Sequence, residues 1–258
     1  MRLNLEVSMG FRCLRFCGWA ARACSILLLC GGAHLVLADE RTLLESLRSS
    51  SLGVEPVSVR PSEIKGLYRV ELESGEVIYA TQDARYFLRG DIYEIGSSSV
   101  SNLTEQERSR RRLERVNSMP NEGPIVFPSH GETLASIVVF TDSSCVYCQR
   151  LHRDVPELNR RGVEVRYFAY PRSGVQSDTE SLRQLKNAWC AADRRSALTA
   201  LMEGYALPAS VCSSDVVAEH YALGRDIGVR ATPTIVSPSG QVLHGYSGVD
   251  NLLAALRI

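Results

Sequence analysis

The sequence predicts a two-domain chain of mixed α+β and α/β character: a small antiparallel β domain, then an α/β domain of order β-α-β, helical insert, β-β-α. Three observations carry this prediction. Between residues 53 and 95 apolar residues alternate in short runs of period two, the signature of half-buried strands. From Ile125 onward, apolar strand-like runs alternate with helical patterns. Between them lies a stretch, Glu105–Val116, of high helix propensity and dense charge.

The chain has 258 residues, enough for one large domain or two small ones. Its first 38 residues read as a secretory signal. Arg12, Arg15 and Arg22 form a positive flank, and Ala23–Leu37 is apolar. At about 15 residues this run is shorter than the ~20 a spanning helix needs, which favours cleavage over anchoring. The expected cut follows Ala38, after Val36-Leu37. The long flank suggests Met9 as an alternative start to Met1. Cleavage removes four arginines and one glutamate, leaving 25 basic and 28 acidic residues. A near-neutral chain offers nothing to attract nucleic acid.

Cysteine usage agrees with export. Cys13, Cys17, Cys24 and Cys30 fall in the signal, and Cys145, Cys148, Cys190 and Cys212 remain. An even count in an exported chain fits two disulfides, and four cysteines allow three pairings. The two-residue gap between Cys145 and Cys148 makes 145–148 with 190–212 the natural choice.

The mature chain divides into residues 39–97, 98–120 and 121–258. It opens with Leu43, Leu44 and Leu47 at helical spacing. Strands are expected at Gly53–Arg60, Leu67–Leu72, Val77–Thr81 and Ile92–Ile95, with Arg85–Leu88 as another short one and Glu73-Ser74-Gly75 as a turn. So thin a sheet has little core and open edges, and pairing with a second copy would cover both. Gly96-Ser97-Ser98-Ser99 breaks the chain, and Thr104 with Glu107 forms a capping-box pattern. Glu105–Val116 has too few apolar residues to bury a face, so it is expected to bridge domains in solvent. Pro120, Gly123 and Pro124 end it. Beyond lie a strand at Ile137–Phe140, a helix from Cys145 to Arg160 and a strand at Val163–Tyr170. Helices are expected near 178–193, 195–203 and 214–226, then strands Thr234–Val236 and Val242–His244, and a last helix from Asp250.

The chemistry concentrates in Phe140-Thr141-Asp142-Ser143-Ser144-Cys145-Val146-Tyr147-Cys148. A strand leads through a polar loop into a helix that opens on two cysteines. The thiolate is the nucleophile of disulfide exchange. At a helix N-terminus it meets unpaired N–H groups and the positive end of the helix dipole, which lower its pKa from about 8.5 into the range ~3.5–7.5. Cys145 is therefore the expected attacking thiolate, exposed, and Cys148, one turn on, the shielded partner that resolves a mixed disulfide. Zinc would need two more ligands at local spacing. Cys190 and Cys212 do not form a second knuckle and His152 alone does not complete a site, so no metal and no cofactor are expected. His152 reads as a surface helix residue, Asp142 as a cap of the loop or helix start, Trp189 and Tyr221 as core, and Arg172 as one half of a surface pair.

The motifs around this site resemble one family closely. They are Val138-Val139-Phe140-Thr141-Asp142 through Cys148, Gln149-Arg150-Leu151-His152, and Val165–Arg172. They continue in Ala188-Trp189-Cys190-Ala191, His220–Gly224 and Gly228-Val229-Arg230-Ala231-Thr232-Pro233. Over most of the mature chain the sequence is similar to the DsbC/DsbG family of periplasmic disulfide isomerases. The resemblance implies a thioredoxin-fold catalytic domain with a helical insertion, a small cystatin-like N-terminal dimerisation domain and a linker helix. It implies Cys145 as nucleophile, Cys148 as its partner and Cys190–Cys212 as a structural disulfide. Thr232-Pro233 would be the cis-proline loop facing substrate, beside Val146 and Tyr147. The implied partners are misfolded disulfide-containing exported proteins, a membrane reductase of DsbD type and a second copy of the chain.

Val146 departs from the Gly usual in DsbC and the Pro of DsbG. It leaves the balance of isomerase and reductase open, since this dipeptide tunes redox poise. The alternatives are a DsbG-like reductase of oxidised single cysteines and a non-catalytic dimeric chaperone or metal-binding module. Thr232 before Pro233, with the N-terminal domain, disfavours an oxidase.

Overall fold

A computed structural model describes residues 40–50, 53–120, 123–210, 212 and 215–258. The signal and its cleavage site lie outside the described residues. The chain forms two compact units. Of the described residues, one unit comprises those up to Leu72 together with Ile78–Leu88, and the other comprises Glu73–Val77 and those from Arg89 onward.

In the first unit helix α1, residues 40–48, lies beside a four-stranded sheet. Its strands are β1 (Pro56–Pro61), β2 (Leu67–Leu72), β3 (Val77–Thr81) and β4 (Phe87–Arg89), in that order across the sheet. β1 and β2 run antiparallel, with an irregularity between Pro56 and Ser58. Leu43 and Leu47, one turn apart on α1, pack with Val59, Val70, Leu72, Ile78 and Ala80. This is a small core, and β4 at the sheet edge is exposed throughout.

The second unit opens with an antiparallel hairpin of β5 (Tyr93–Ile95) and β6 (Val100–Asn102). Helix α2 (Leu103–Asn117) follows, and it differs from the sequence expectation in two respects. Its N-cap is Asn102, whose side chain accepts from Glu105 N at 2.8 Å. Thr104 lies inside the helix, where its hydroxyl accepts from Ile92 N at 2.9 Å and so serves the hairpin. Nor does the helix simply cross solvent. Ser109 and Val116 are buried, Arg112 donates to Gly240 O at 3.2 Å, and Arg115 pairs with Asp226. The contact is largely polar, which is why an apolar-stripe criterion misses it. It also requires a glycine at position 240. A Cβ there would stand 2.1 Å from Ser109 O, and the backbone holds φ +82°.

The rest is β7 (Ile125–Phe127), β8 (Ala135–Thr141), α3 (Val146–Arg160), β9 (Val163–Ala169), α4 (Glu180–Trp189), α5 (Arg194–Met202), α6 (Val216–Asp226), β10 (Thr234–Val236), β11 (Val242–His244) and α7 (Val249–Leu256). The sheet order is β11-β10-β8-β9-β7, with β8 and β9 parallel and the other pairs antiparallel. The short strands β6 and β7 have no counterpart in the sequence expectation.

Both faces of this sheet are covered, and strand alternation assigns the residues. Ile137 and Val139 of β8, with Val165 and Tyr167 of β9 and Ile235 of β10, pack against Cys148, Leu151, Val155 and Leu158 of α3. The intervening residues Val138, Phe140, Phe168 and Val236 face Leu223 and Ile227 at the end of α6, and Val116. The insert α4–α5 joins the first cluster through Leu182, Leu185, Trp189, Leu198 and Leu201. Trp189 is fully buried and donates to Gly123 O at 3.0 Å, whereas Tyr221 is only partly buried. Cys190, capping α4, is joined to Cys212 in a disulfide.

Candidate active site

β8 ends at Thr141, and four residues later α3 begins with Cys145 as its N-cap. Cys145 has extended geometry, φ −92° and ψ 116°, and makes no side-chain cap bond. The first-turn N–H groups of α3 are therefore free to face its sulfur. The thiol is lowered to about 5, chiefly by hydrogen bonding from Cys148. Burial opposes this, while the Thr232 hydroxyl and the backbone N–H groups of Cys148 and Tyr147 assist. Cys148 is the opposite case. Its thiol is pushed strongly upward, first by burial and then by its role as donor to Cys145. Two chemically identical groups one helical turn apart are thus separated by environment, which is the arrangement expected of an attacking and a resolving sulfur.

Cys145 is more enclosed than the sequence suggests: it is 4% exposed and Cys148 is 0% exposed. The cover comes from the loop before β10. The Thr232–Pro233 peptide is cis, and the Cys145 thiol donates to Thr232 O at 3.2 Å. Pro233 O accepts from Gly245 N at 2.9 Å, tying this loop to the turn after β11. Val146 and Tyr147, by contrast, are 69% and 58% exposed, large apolar side chains standing at the rim. Tyr147 also lines a groove of ≈ 560 Å³ with Leu243, Gly245, Tyr246 and Ala255.

Asp142 does more than the capping role its position suggests. It is 1% exposed, and its carboxylate organises the whole approach to Cys145. Oδ1 accepts from Ser144 N at 2.8 Å, the Ser144 hydroxyl at 2.8 Å and the Ser181 hydroxyl at 2.6 Å. Oδ2 accepts from Arg172 N at 2.7 Å, with the guanidinium Nε at 3.5 Å. Burial pushes this carboxyl up, but the Arg172 N–H, the Ser181 hydroxyl and both Ser144 donors outweigh it, so it lies below its ordinary value. Arg172 also donates to Ser144 O and Oγ, and Asp142 O accepts from Cys145 N at 3.1 Å. The Ser181 link ties the insert to the loop, and nothing in local sequence spacing announces it.

His152 departs from its sequence reading. It is 6% exposed rather than on the surface. Its position four residues after Cys148, between Leu151 and Val155, is the signal that places it on the inward face of α3. Among the described residues no group of three His, Cys, Asp or Glu side chains could hold a metal ion, and Cys190 and Cys212, being bonded to each other, offer no thiolate ligand.

A parallel β8–β9 pair, a C-x-x-C at the helix start and a cis-proline before the next antiparallel strand together define a dithiol protein of thioredoxin fold. Comparison with known proteins agrees. Residues 93–257 match the thioredoxin-like domain family and residues 35–105 match the disulfide bond isomerase protein N-terminal domain. The chain is 34% identical over 226 residues to the thiol:disulfide interchange protein DsbC of Salmonella typhimurium, covering 88% of this chain and 89% of that one. It is 34% identical over 232 residues to the DsbC of Pasteurella multocida, covering 90% and 97%. A solved disulfide interchange protein from Neisseria gonorrhoeae is similar at 30% identity and a TM-score of 0.47, over 54% of this chain and 96% of that one. The chain belongs to the DsbC family of thiol:disulfide interchange proteins.

Two outcomes are expected. Titration of the reduced protein by ultraviolet thiolate absorbance gives one step near pH 5, from Cys145, and no step for Cys148 in the range of an ordinary cysteine. A single step near the unperturbed value would contradict the helix-terminus account. Asp142→Ala costs about 2 kcal/mol or more in chemical denaturation, since it leaves several donors without their charged acceptor. Because the folded carboxyl lies below its unfolded value of about 3.9, its contribution is present above that pH and lost as pH falls through the folded value. The variant accordingly shows a shallower decline of stability in acid than the parent.

Proposed function

We propose that this protein reshuffles incorrect disulfides in exported proteins through its Cys145-Val146-Tyr147-Cys148 pair. The observation that carries the reading is the split environment of the two sulfurs, with Cys145 stabilised as an anion and Cys148 held protonated. Cys145 attacks a client disulfide; a bond forms between its sulfur and one client sulfur, and the second client sulfur leaves as thiolate. A client thiolate then attacks the mixed disulfide, re-pairs the client and frees Cys145. When this stalls, Cys148 attacks Cys145, and the client leaves reduced while the enzyme holds its own disulfide. Starting from the dithiol, the cycle needs an external reductant after each such escape, for which a membrane reductase of DsbD type is the expected donor.

The cis-proline loop supports client docking. Thr232 and Pro233 lie over Cys145, leaving the backbone there to meet an extended client segment, while exposed Val146 and Tyr147 supply apolar contact without sequence preference. The names borne by the DsbC relatives support interchange activity, and the matched N-terminal family supports an isomerase. We place the working protein in the periplasm, delivered by the signal read in residues 1–38.

The same reading makes the protein a homodimer. Edge strand β4 leaves Phe87 and Leu88 exposed at 45% and 55%, in a unit whose own core is small. An open apolar edge invites pairing with a second copy.

Cys145→Ser abolishes reshuffling of scrambled ribonuclease, and Cys148→Ala accumulates mixed disulfides visible on non-reducing gels. Reshuffling that persists without Cys145 would sink the mechanism. For assembly, sedimentation of the mature protein returns twice the chain mass, and Leu88→Lys shifts it toward monomer. An unchanged dimer in that variant would remove β4 from the interface.

A further inference from the structure

Two loops flank the attacking sulfur, and each carries an arginine. Arg172, beyond β9, donates from Nη2 to Ser144 O at 3.3 Å and to Ser144 Oγ at 3.0 Å, so its guanidinium sits beside the residue that precedes Cys145. Arg230 lies two residues before Thr232, whose carbonyl accepts from the Cys145 thiol. Two residues of chain span at most about 7 Å. Both arginines line a groove of ≈ 740 Å³ together with Tyr221 and Arg225, the latter in the last turn of α6. The disulfide chemistry gives no role to Arg225 or Arg230.

The backbone beneath these side chains is fixed. Tyr170 stacks on Tyr221, with ring centroids 4.9 Å apart, and donates to Val229 O at 2.7 Å. Val229 N donates to Gly224 O at 2.7 Å, which pins the loop to α6. A Cβ at position 224 would stand 2.6 Å from the Tyr170 ring, so glycine there lets the ring lie against the helix. Arg230 is thus carried on a held backbone, and little ordering remains to oppose binding.

The charge balance in the groove is one-sided. Arg225 and Arg230 are exposed, and no ion pair or side-chain hydrogen bond engages either among the described residues. Two carboxylates line the groove, Asp226 and Glu73. Asp226 is engaged by Arg115, which leaves Glu73 against three guanidinium groups. The chain as a whole has no such excess, with 25 basic and 28 acidic residues beyond the signal. The positive charge is local, and it lies where a client would pass the sulfur.

We propose that Arg172, Arg225 and Arg230 form a carboxylate-binding subsite that favours client segments bearing Glu or Asp within a few residues of the reacting cysteine. This rests on the reading of Cys145 as the attacking sulfur and adds a basis for choosing among clients. A planar guanidinium meets a carboxylate with paired N–H donors, which gives the contact direction as well as charge. Val146 and Tyr147 accept any apolar client, and the subsite grades clients by charge. An attacking thiolate repels an acidic client, and the arginines offset that repulsion.

Two cysteine peptides test this, identical except that one has Glu and the other Gln on both sides of the cysteine. Each carries its cysteine as a mixed disulfide with an uncharged pyridine thiol, whose release is followed by absorbance. Attack by Cys145 joins its sulfur to the peptide sulfur and expels the pyridine thiol. The readout is the ratio of the Glu-peptide rate to the Gln-peptide rate, divided by the same ratio for a small neutral thiol. At low ionic strength the reduced parent is expected to favour the Glu peptide at least about 5-fold on this scale, as one or two exposed ion pairs supply, and to lose the preference as salt screens them. Both peptides meet the same sulfur, so a change in the reactivity of Cys145 cancels in the ratio. The double variant Arg225→Gln, Arg230→Gln brings the ratio close to unity, and Arg230→Glu lowers it relative to the parent. A parent ratio close to unity at low salt, a ratio indifferent to salt, or one that persists in the folded double variant overturns the subsite. The parent measurements need no variant to fold. No release from either peptide overturns instead the assignment of Cys145 as the attacking sulfur.

Discussion

The structure depends on one constraint: a negative sulfur must sit where a helix begins, with no other group competing for the N–H donors there. Cys145 meets it by taking the N-cap position while making no conventional cap bond. Any Ser, Thr or Asp in that place would satisfy a donor with its own oxygen. The first turn of α3 carries no acidic residue that would oppose the anion. The loop carboxylate, Asp142, is saturated by Ser144, Ser181 and Arg172, so its charge is spent on the loop. The negative charge of the loop and that of the sulfur are thereby kept to separate sets of donors.

The sheet makes this arrangement rigid. β8 pairs in parallel with β9 along seven residues, from Ala135 with Val163 to Thr141 with Ala169. The last pair lies next to the loop, and Tyr170 N donates to Thr141 O at 2.7 Å just beyond it. On the other side β10 pairs with β8 from Thr234 with Phe140, so the cis-proline and the cysteine loop emerge from adjacent strands at the same end of the sheet. The 3.2 Å contact between Cys145 and Thr232 is set by that shared register. Sequence positions 87 apart are brought together by strand pairing alone.

Much of this was legible in the sequence because the strongest signals are local. β2, β3, β10 and β11 have the expected limits, and α3 begins one residue after its expected start. The cysteine pair announces itself by spacing. What escaped is what long-range contact decides. Thr104 and Glu107 look like a cap, yet Asn102 takes the role because the hairpin claims the Thr104 hydroxyl. α2 looks like a solvent bridge, yet polar atoms of Ser109 and Arg112 dock it against Gly240. His152 carries an ordinary surface composition around it, with Arg150 and Arg153 beside it, and only its phase relative to Cys148 reveals the core. Ser181 reaches Asp142 across 39 residues, a distance at which local patterns are silent.

The chain also carries a sulfur–sulfur bond away from the free Cys145 and Cys148 thiols, Cys190 to Cys212, with a sequence separation of 22. Closing a loop of that size lowers the entropy of the unfolded chain by about 3 kcal/mol at room temperature. The bond pins the end of α4 to the segment before α6, and so holds the insert from which Ser181 reaches the active-site loop. A protein whose trade is breaking and remaking such bonds is thus itself assembled by one. On the proposed mechanism its maturation requires an oxidising step before it can serve as a reduced catalyst, and an electron donor that recharges Cys145 and Cys148 must leave the other pair untouched. Biogenesis and turnover therefore make opposite redox demands on a single polypeptide, met at two addresses within one domain.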